Sequence, residues 1–320
     1  MKIVEAKEFG GPEVLAMSEV PDPVPGPGEA VVGMVAVDTL FVDTMIRSGA
    51  AQDFFAVRPP YVPGGGGAGR VLRVGKGADP EWVGRRVLTY TGDLGGHGGY
   101  AERVAVPAEG LITVPDGVDL RVAAALLHDG VTAMGVLEGV AIRPGERVLI
   151  VGATGGMGVL LVQLARAAGA HVIAAARGER KLALARELGA DEVVDCSGDG
   201  WTEGLGEVDV VLDGVGGDVG RAAFEVVARG GRFSAHGAPA GGFTAVDPEE
   251  ARRRGVTMRG IADLQYGMAD RARLAAAALA EAAAGRIRPV VGQTFPLEQA
   301  AEAHAAIESR RVVGKTLLLT

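Results

Sequence analysis

The sequence predicts an α/β protein in which a small, irregular β-barrel-like domain accompanies a doubly wound, mostly parallel sheet. Before about residue 121, short β-type runs are separated by clusters of Gly and Pro. After that point, short apolar runs typical of buried strands alternate with helix-type segments. Within this second part, a glycine-rich turn connects a strand-type run directly to a helix-type segment. These three observations predict the fold class and a division into two domains.

The first part of the chain is typical of a barrel-like domain because its β-type runs are short and closely spaced. Turn clusters, such as Pro25-Gly26-Pro27-Gly28, lie between these runs. The predicted strands are residues 30–37, 69–75, 86–90 and 100–106.

The second part alternates strands with helices, a pattern that favours a parallel sheet. We predict strands at 147–151, 171–175, 192–194, 208–212 and 231–234. We predict helices at 122–137, 157–168, 180–188, 221–227, 270–284 and 297–309. A final strand at 315–319 comes so late that we expect it to return to the first domain. The predicted domains are therefore residues 1–121 with 286–320, and residues 122–285.

Composition excludes several classes of protein. The 320 residues suggest about two domains, and 48% hydrophobic with 22% charged residues excludes a disordered chain. The net charge of −8 argues against nucleic acid or an anionic membrane as a partner. Cys196 is the only cysteine, which excludes an intrachain disulfide and a thiolate zinc finger. The first residues lack the apolar segment of a signal peptide, so we expect a soluble, cytoplasmic protein.

The segment 147–158 carries the strongest functional signal. A buried strand enters a glycine loop, and a helix begins at once. Gly155 and Gly158, with Ala153 in the first position, fit the G-x-G-x-x-G pattern of dinucleotide-binding loops. Small residues let the backbone approach a pyrophosphate, whose charge lies at the helix N-terminus. The alternative is a glycine-rich turn that binds nothing. The predicted cofactor contacts in the loop are Ala153, Thr154, Gly155, Gly156, Met157 and Gly158.

The end of the second strand indicates which dinucleotide is bound. An NAD site places Asp or Glu there, to bind the ribose 2′-OH. This chain has Arg177 near that position, followed by Arg180 and Lys181, which suits the extra phosphate of NADP. The alternatives are that these cations only begin a solvated helix, or that Glu179 accepts the 2′-OH. Residues after the next strands should line the same crevice, unless these are ordinary turns; we predict contacts from Gly214, Val215 and Gly237.

At this point the chain resembles a known family, the zinc-independent quinone oxidoreductase branch of the medium-chain dehydrogenase/reductase superfamily. The resemblance covers almost the whole chain. The matching segments are residues 43–49, 61–69, 98–107, 111–117, 123–133, 143–147, 292–304 and 314–319, together with the glycine loop.

The resemblance implies a GroES-like catalytic domain, a Rossmann domain and an active site in the cleft between them. It also implies NADPH as cofactor and a homodimer. Thr132 would lie beside the nicotinamide, while Arg177 and Lys181 would bind the 2′-phosphate, with Arg310 joining them. Gly65 and Gly66 replace the His-Glu pair of zinc-dependent members, so we expect no metal site.

The substrate half departs from the family pattern. Leu40, Met45 and Gly66 stand where related quinone reductases usually carry Asn, Tyr and Glu, and Asp129 stands where they usually carry Gln. These changes favour a specialised enone or enoyl substrate over a simple quinone.

Few side chains could donate a proton to such a substrate. The candidate catalytic residues are His97, Tyr90 and Asp43. The alternative for His97 is an exposed loop histidine, and the alternative for Asp43 is a structural hydrogen-bond partner. His128 with Asp129 either orients Thr132 or the nicotinamide amide, or packs and caps a helix. The predicted function is NADPH-dependent, metal-free hydride transfer to a quinone or an α,β-unsaturated carbonyl compound. The alternatives are a non-catalytic NADPH-binding protein and, less favoured, an alcohol dehydrogenase without zinc.

Overall fold

The computed structural model describes residues 1–92 and 98–320, which form two compact units. The first unit comprises Met1–His128, Met268–Ala283 and Val291–Thr320, and the second comprises Asp129–Gly267 and Ala284–Val290. This division differs from the predicted domain bounds. Residues 122–128 and 268–283 lie in the first unit, because the helices they form pack against elements of that unit, and residues 286–290 lie in the second.

In chain order, the strands of the described residues are β1 (Lys2–Ala6), β2 (Leu15–Glu19), β3 (Glu29–Thr39), β4 (Gly66–Val74), β5 (Arg86–Tyr90), β6 (Arg103–Pro107), β7 (Ile112–Thr113), β8 (Arg147–Val151), β9 (His171–Ala176), β10 (Glu192–Asp195), β11 (Val208–Asp213), β12 (Val227–Ala235), β13 (Thr257–Gly260), β14 (Val291–Pro296) and β15 (Lys315–Leu319). The helices are α1 (Phe41–Ser48), α2 (Leu120–Leu126), α3 (Asp129–Val140), α4 (Gly158–Ala167), α5 (Glu179–Glu187), α6 (Gly217–Glu225), α7 (Pro248–Arg254), α8 (Met268–Ala283) and α9 (Ala300–Glu308). Among the described residues, no single helix is both long and apolar enough to cross a membrane, although α2 and α3 taken together pass that test of length and composition.

The long strand β3 organises the first unit. One edge of β3 pairs antiparallel with β4, and the other pairs antiparallel first with β6 and then with β15. From β4 the sheet continues to β5 and β7. The final strand returns to this unit as predicted, with Thr316 opposite Thr39 and Leu319 opposite Ala36. Alternating apolar side chains of these strands form the core, including Val32, Val71, Val104 and Leu318.

The second unit is the predicted doubly wound sheet. Its six strands run in the order β10-β9-β8-β11-β12-β13, and every neighbouring pair is parallel. The strand order reverses between β8 and β11, and the carboxyl ends on either side of such a point form a ligand-binding crevice. Leu149, Ile173, Val211 and Phe233 lie opposite one another on four adjacent strands and are fully buried on one face. The residues that follow them, Ile150, Ala174, Leu212 and Ser234, are buried on the other, as expected for a sheet covered on both faces.

One predicted helix is wrong in a way that bears on function. The apolar pattern predicts a continuous helix over 122–137, whereas the structure has α2 and α3 with Leu127 and His128 between them. The Leu127 carbonyl accepts a hydrogen bond from the Tyr90 hydroxyl at 2.8 Å, and the His128 ring bonds to Asp38. These contacts stabilise the break between the two helices. They join residues far apart in the sequence, so a local pattern could not predict them. A second helix, predicted over 221–227, spans Gly217–Glu225, because residue 227 already begins β12.

Candidate active site

The turn from β8 to α4 requires glycine at two positions, 152 and 158. A Cβ on Gly158 would lie 2.2 Å from the carbonyl oxygen of Gly152, so the first residue of α4 has no room for a side chain. Gly152 itself adopts a φ of 77°. This packing places the helix N-terminus against the loop, the arrangement that receives a pyrophosphate. The other predicted loop residues lie here too: Ala153 and Thr154 are buried, Gly155 is exposed, and Gly156 and Met157 are half-buried.

The turn after β11 lies against this loop. A Cβ on Gly152 would be 2.9 Å from a methyl carbon of Val215, and a Cβ on Gly237 would be 2.1 Å from the carbonyl oxygen of Gly214. The predicted residues Gly214, Val215 and Gly237 therefore lie together at the carboxyl edge of the sheet, next to the glycine loop.

Asp213 fixes this turn, a role that the sequence analysis did not assign. Its fully buried carboxylate accepts hydrogen bonds from the backbone N–H groups of Val215 at 2.9 Å and Gly216 at 3.0 Å, and from the Thr244 hydroxyl at 2.5 Å. A carboxylate at a strand end followed by Gly-Val-Gly-Gly is the signal that could have indicated it. The neighbouring His236 is buried, and burial lowers its pKa to about 4, so this imidazole is neutral at pH 7.

The end of β9 presents positive charge. Arg177 follows the strand and is exposed, while Lys181 lies half-buried on the first turns of α5. Burial lowers the pKa of Lys181, and the charges of Arg177 and Arg180 lower it further. A doubly charged phosphate placed here would relieve this repulsion. At the end of β10, Asp195 accepts a hydrogen bond from the Gly178 N–H at 3.3 Å, which steadies the turn.

Glu179, the alternative partner for a ribose 2′-OH, has a partner already. Its carboxylate accepts a hydrogen bond from Arg186 at 2.6 Å, further along α5. This ion pair is exposed and therefore weak. It nevertheless gives Glu179 a local role on the helix surface, and the contact of Arg177 with the cofactor stays a prediction.

The other two predicted cofactor residues, Thr132 and Arg310, are far from the glycine loop or from each other in the sequence. Thr132 is half-buried within α3 of the second unit. Arg310 follows α9 in the first unit, where it is exposed and adopts a φ of 55°. Their contacts with a cofactor remain predictions from the resemblance.

Asp43 is a buried helix cap. Its carboxylate accepts a hydrogen bond from the Leu40 backbone N–H at 2.9 Å at the start of α1, and one from the Tyr100 hydroxyl at 3.4 Å. The same hydroxyl lies 2.8 Å from Nε2 of His304. Burial raises the pKa of Asp43 to about 6. These contacts give Asp43 a structural role, and its predicted part in proton transfer stays a prediction.

Tyr90 lies at the end of β5 with its hydroxyl directed at the Leu127 carbonyl oxygen. Burial raises its pKa above the usual range, and the Arg271 guanidinium lies 5.5 Å from the ring centre. Its hydroxyl proton therefore supports the break between α2 and α3, and its predicted role in catalysis stays a prediction. His97, the third candidate, lies outside the described residues.

The structure brings together three buried side chains, Asp38, His128 and Lys315, that the sequence analysis did not connect. Nδ1 of His128 lies 2.8 Å from Oδ2 of Asp38, and Nζ of Lys315 lies 2.7 Å from Oδ1 of the same carboxylate. All three side chains are buried. The available signal was a lone acidic residue inside the apolar strand β3. Within residues 1–92 and 98–320, no group of three or more His, Cys, Asp or Glu side chains is arranged to hold a metal ion.

Comparison with known proteins shows what this architecture is similar to. A family model described as the alcohol dehydrogenase GroES-like domain matches residues 26–116, and one described as a zinc-binding dehydrogenase matches residues 188–318. A quinone oxidoreductase of Pseudomonas aeruginosa is 32% identical, over 99% of both chains. A 2-haloacrylate reductase of a Burkholderia species is 33% identical, over 97% of this chain and 96% of its own.

Solved structures agree with this relationship. A mycobacterial protein in complex with NADPH matches with a TM-score of 0.88 at 32% identity, over the full length of both chains. A structure described as an NAD-dependent alcohol dehydrogenase matches with the same score, identity and coverage. The chain belongs to the quinone oxidoreductase branch of the medium-chain dehydrogenase/reductase superfamily. It is an oxidoreductase that uses a nicotinamide cofactor, and the predicted GroES-like and Rossmann fold is confirmed.

Proposed function

We propose that this protein binds NADPH and reduces a quinone or an α,β-unsaturated carbonyl compound without a metal ion. The observation that carries the choice of NADPH is the end of β9. Arg177 is exposed there, Lys181 lies on the following helix, and Glu179 is paired with Arg186. A site built for NADH would instead place a carboxylate at this position to accept the ribose hydroxyl.

The residues of the second unit fit the cofactor. The close contact between Gly152 and Gly158 forms a cradle that a Cβ would fill, and it leaves a helix N-terminus for the pyrophosphate. Arg177 and Lys181 would hold the 2′-phosphate, and Gly214, Val215 and Gly237 would leave room for the nucleosides. Thr132 would orient the nicotinamide, with Arg310 as a further phosphate contact. When bound, NADPH supplies a hydride ion.

The residues at the positions of the family's metal ligands indicate the class of substrate. The positions that the resemblance assigns to a metal-binding His-Glu pair are Gly65 and Gly66, which have no side chains to bind a metal. The acceptor must therefore be electron-poor on its own, or be activated by hydrogen bonds. The names of the two relatives, quinone oxidoreductase and 2-haloacrylate reductase, support acceptors of this kind.

The test measures NADPH oxidation by protein treated with a chelator, against a panel of quinones, enones and enoyl thioesters. We expect turnover with at least one of these classes, and weaker binding of NADH than of NADPH in parallel titrations. Tight NADPH binding with no turnover across the panel would favour the non-catalytic alternative. Turnover of alcohols with NADP⁺ alone would favour an alcohol dehydrogenase. The predicted homodimer stays a prediction, which sedimentation equilibrium of the full chain tests.

A further inference from the structure

Asp38 is ionised, and its charge determines which nitrogen of His128 carries the hydrogen between the two side chains. Burial opposes ionisation of Asp38, but the charge of Lys315 and the hydrogen bond from His128 outweigh it, so the pKa of Asp38 lies below its usual range. An ionised carboxylate only accepts hydrogen bonds, so Nδ1 of His128 must carry the hydrogen that lies between the two side chains. Nε2 is then free to exchange a proton: it donates one when the ring is charged and accepts one when it is neutral.

Few described atoms surround the side-chain position of Gly65, next to Nε2 of His128. A Cβ on Gly65 would lie 2.8 Å from Nε2 and 3.1 Å from Cε1 of the ring. Apart from these two atoms, no described atom outside the adjoining residues lies within 4 Å of that position. Within the described part of the chain, Nε2 has no hydrogen-bond partner, and it is not among the fully buried polar atoms that lack one. The missing side chain of Gly65 therefore leaves Nε2 uncovered by the described atoms on this side of the ring.

We propose that His128 is a catalytic residue that donates a proton from Nε2 to the oxygen of a conjugated carbonyl substrate as it is reduced. Asp38 and Lys315 act as positioning residues, because they hold the ring and its tautomer. This proposal rests on the proposed function and narrows it to substrates with a C=C bond conjugated to a carbonyl group.

The proton transfer balances as follows. Hydride addition to the β-carbon of an enone forms a C–H bond and shifts the C=C electron pair to the carbonyl oxygen, giving an enolate. The N–H bond at Nε2 then breaks, its electron pair stays on the nitrogen, and an O–H bond forms. The resulting enol rearranges to the saturated carbonyl compound in water, and the neutral imidazole regains a proton from solvent. The sum is one hydride and one proton added across the C=C bond.

Charged and aromatic groups surround the His128 ring. Asp38 accepts its hydrogen bond, and Lys315 is paired with the same carboxylate. Asp43 contributes a further negative charge nearby, and the Tyr90 ring meets the imidazole edge-on at 5.2 Å, with Arg271 above that tyrosine. These contacts hold the ring in one orientation, with Nδ1 directed at Asp38 and Nε2 on the opposite side.

A comparison of two kinds of acceptor distinguishes a catalytic role of His128 from a structural role. Reduction of a quinone gives a hydroquinone anion, which takes its proton from water without help. Reduction of an enone at carbon gains from a positioned acid, by about 100-fold or more. Loss of the acid should therefore slow enone reduction far more than quinone reduction, whereas a loss of packing should affect both alike.

The experiment compares wild type with His128→Asn and His128→Gln, using 3-penten-2-one and 1,4-benzoquinone as acceptors with NADPH. The matched control is His171→Asn, which removes a half-exposed histidine paired with Glu192 in the second unit. We expect each His128 variant to lose about 100-fold or more in kcat for the enone, and far less for the quinone. Thermal unfolding of each variant identifies one that has failed to fold.

A second readout does not depend on turnover. The chain has 5 histidines, so ¹⁵N-labelled imidazoles can be followed by NMR across pH and assigned with the His128 variants. We expect Nδ1 of His128 to stay protonated at all pH values where the fold persists, while Nε2 titrates. In wild type, kcat for the enone should fall as pH rises through that same titration, and Asp38→Asn should alter both.

Three results overturn the proposal: equal losses for the enone and the quinone, a wild type that reduces only quinones, or an Nε2 that never titrates. A wild type that binds NADPH and reduces neither acceptor nor any other member of the panel contradicts the proposed function instead.

Discussion

The Cα of Gly158 faces the carbonyl oxygen of Gly152 so closely that a Cβ would lie 2.2 Å from that oxygen. Because backbone meets backbone here, Gly158→Ala can be accommodated only if the loop moves away from α4. We expect a loss of about 1–3 kcal/mol in the free energy of unfolding, as for other overpacked sites, and a marked loss of NADPH affinity. Fluorescence titration and urea unfolding measure the two effects. Gly198→Ala, at a position with nothing within 4 Å, is the control and should change neither.

Arg177 should determine the preference between cofactors. Arg177→Ala removes one charge-assisted contact to the 2′-phosphate, which is worth about 1.5–3 kcal/mol, or roughly 10- to 100-fold in the Kd for NADPH. NADH, which lacks this phosphate, should bind as before. The matched control is Arg186→Ala on α5, whose guanidinium is paired with Glu179. Equal weakening of NADH and NADPH by Arg177→Ala would contradict the assigned role.

Gly65 should control access to His128. In Gly65→Ala, the added methyl group would lie 2.8 Å from Nε2, too close for an unchanged ring. We expect reduced enone turnover with unchanged NADPH affinity, because the glycine loop, Arg177 and Lys181 lie in the second unit and Gly65 lies in the first. Steady-state kinetics with both acceptors measures this effect. Gly117→Ala in the first unit, at a position with nothing within 4 Å, should behave as wild type.

Asp43 should make the stability of the protein depend on pH. Burial raises its pKa from 3.8 to about 6, a shift worth about 3 kcal/mol. The folded protein holds this proton more tightly than the unfolded chain, so the stability due to Asp43 falls as pH rises from about 4 to about 6 and is then constant. Asp43→Asn keeps an acceptor for the Leu40 N–H but cannot ionise.

The difference in free energy of unfolding, wild type minus Asp43→Asn, should therefore fall by about 2 kcal/mol between pH 4 and pH 7. Urea unfolding at several pH values measures it, and the subtraction removes groups common to both proteins, including His304, whose pKa burial lowers to about 3. A difference that stays constant with pH would show that Asp43 titrates normally in the folded protein.

Much of the second unit was predictable because its signals are local. The apolar run at 147–151, the glycines after it and the helix beyond them occupy one continuous segment, and β8 has the predicted bounds. The place of Arg177 at the end of β9 was predictable for the same reason, whereas its contact with a cofactor stays a prediction. The bonds of Asp213 to the next turn have a local signal, but its third partner, Thr244, comes from a segment far along the chain and could not be predicted.

The candidate site in the first unit was less predictable. Asp43 and Tyr90 were chosen because their side chains can exchange protons, but the structure engages both in hydrogen bonds with main-chain groups. The sequence shows residue types and does not show which of them are already bonded. His128 was noticed beside Thr132, but its partner Asp38 lies 90 residues earlier.

By itself, the sequence determined the fold class, the family and the cofactor loop, because spacing along one strand, one turn and one helix sets the local backbone. Only the tertiary structure decided where the helical pattern over 122–137 breaks. The break is held by Asp38 on β3 and Tyr90 on β5, which bind His128 and Leu127 across the first unit. Such contacts form only after strands distant in sequence have paired. The hydrogen bond that orients the His128 ring therefore depends on the tertiary fold.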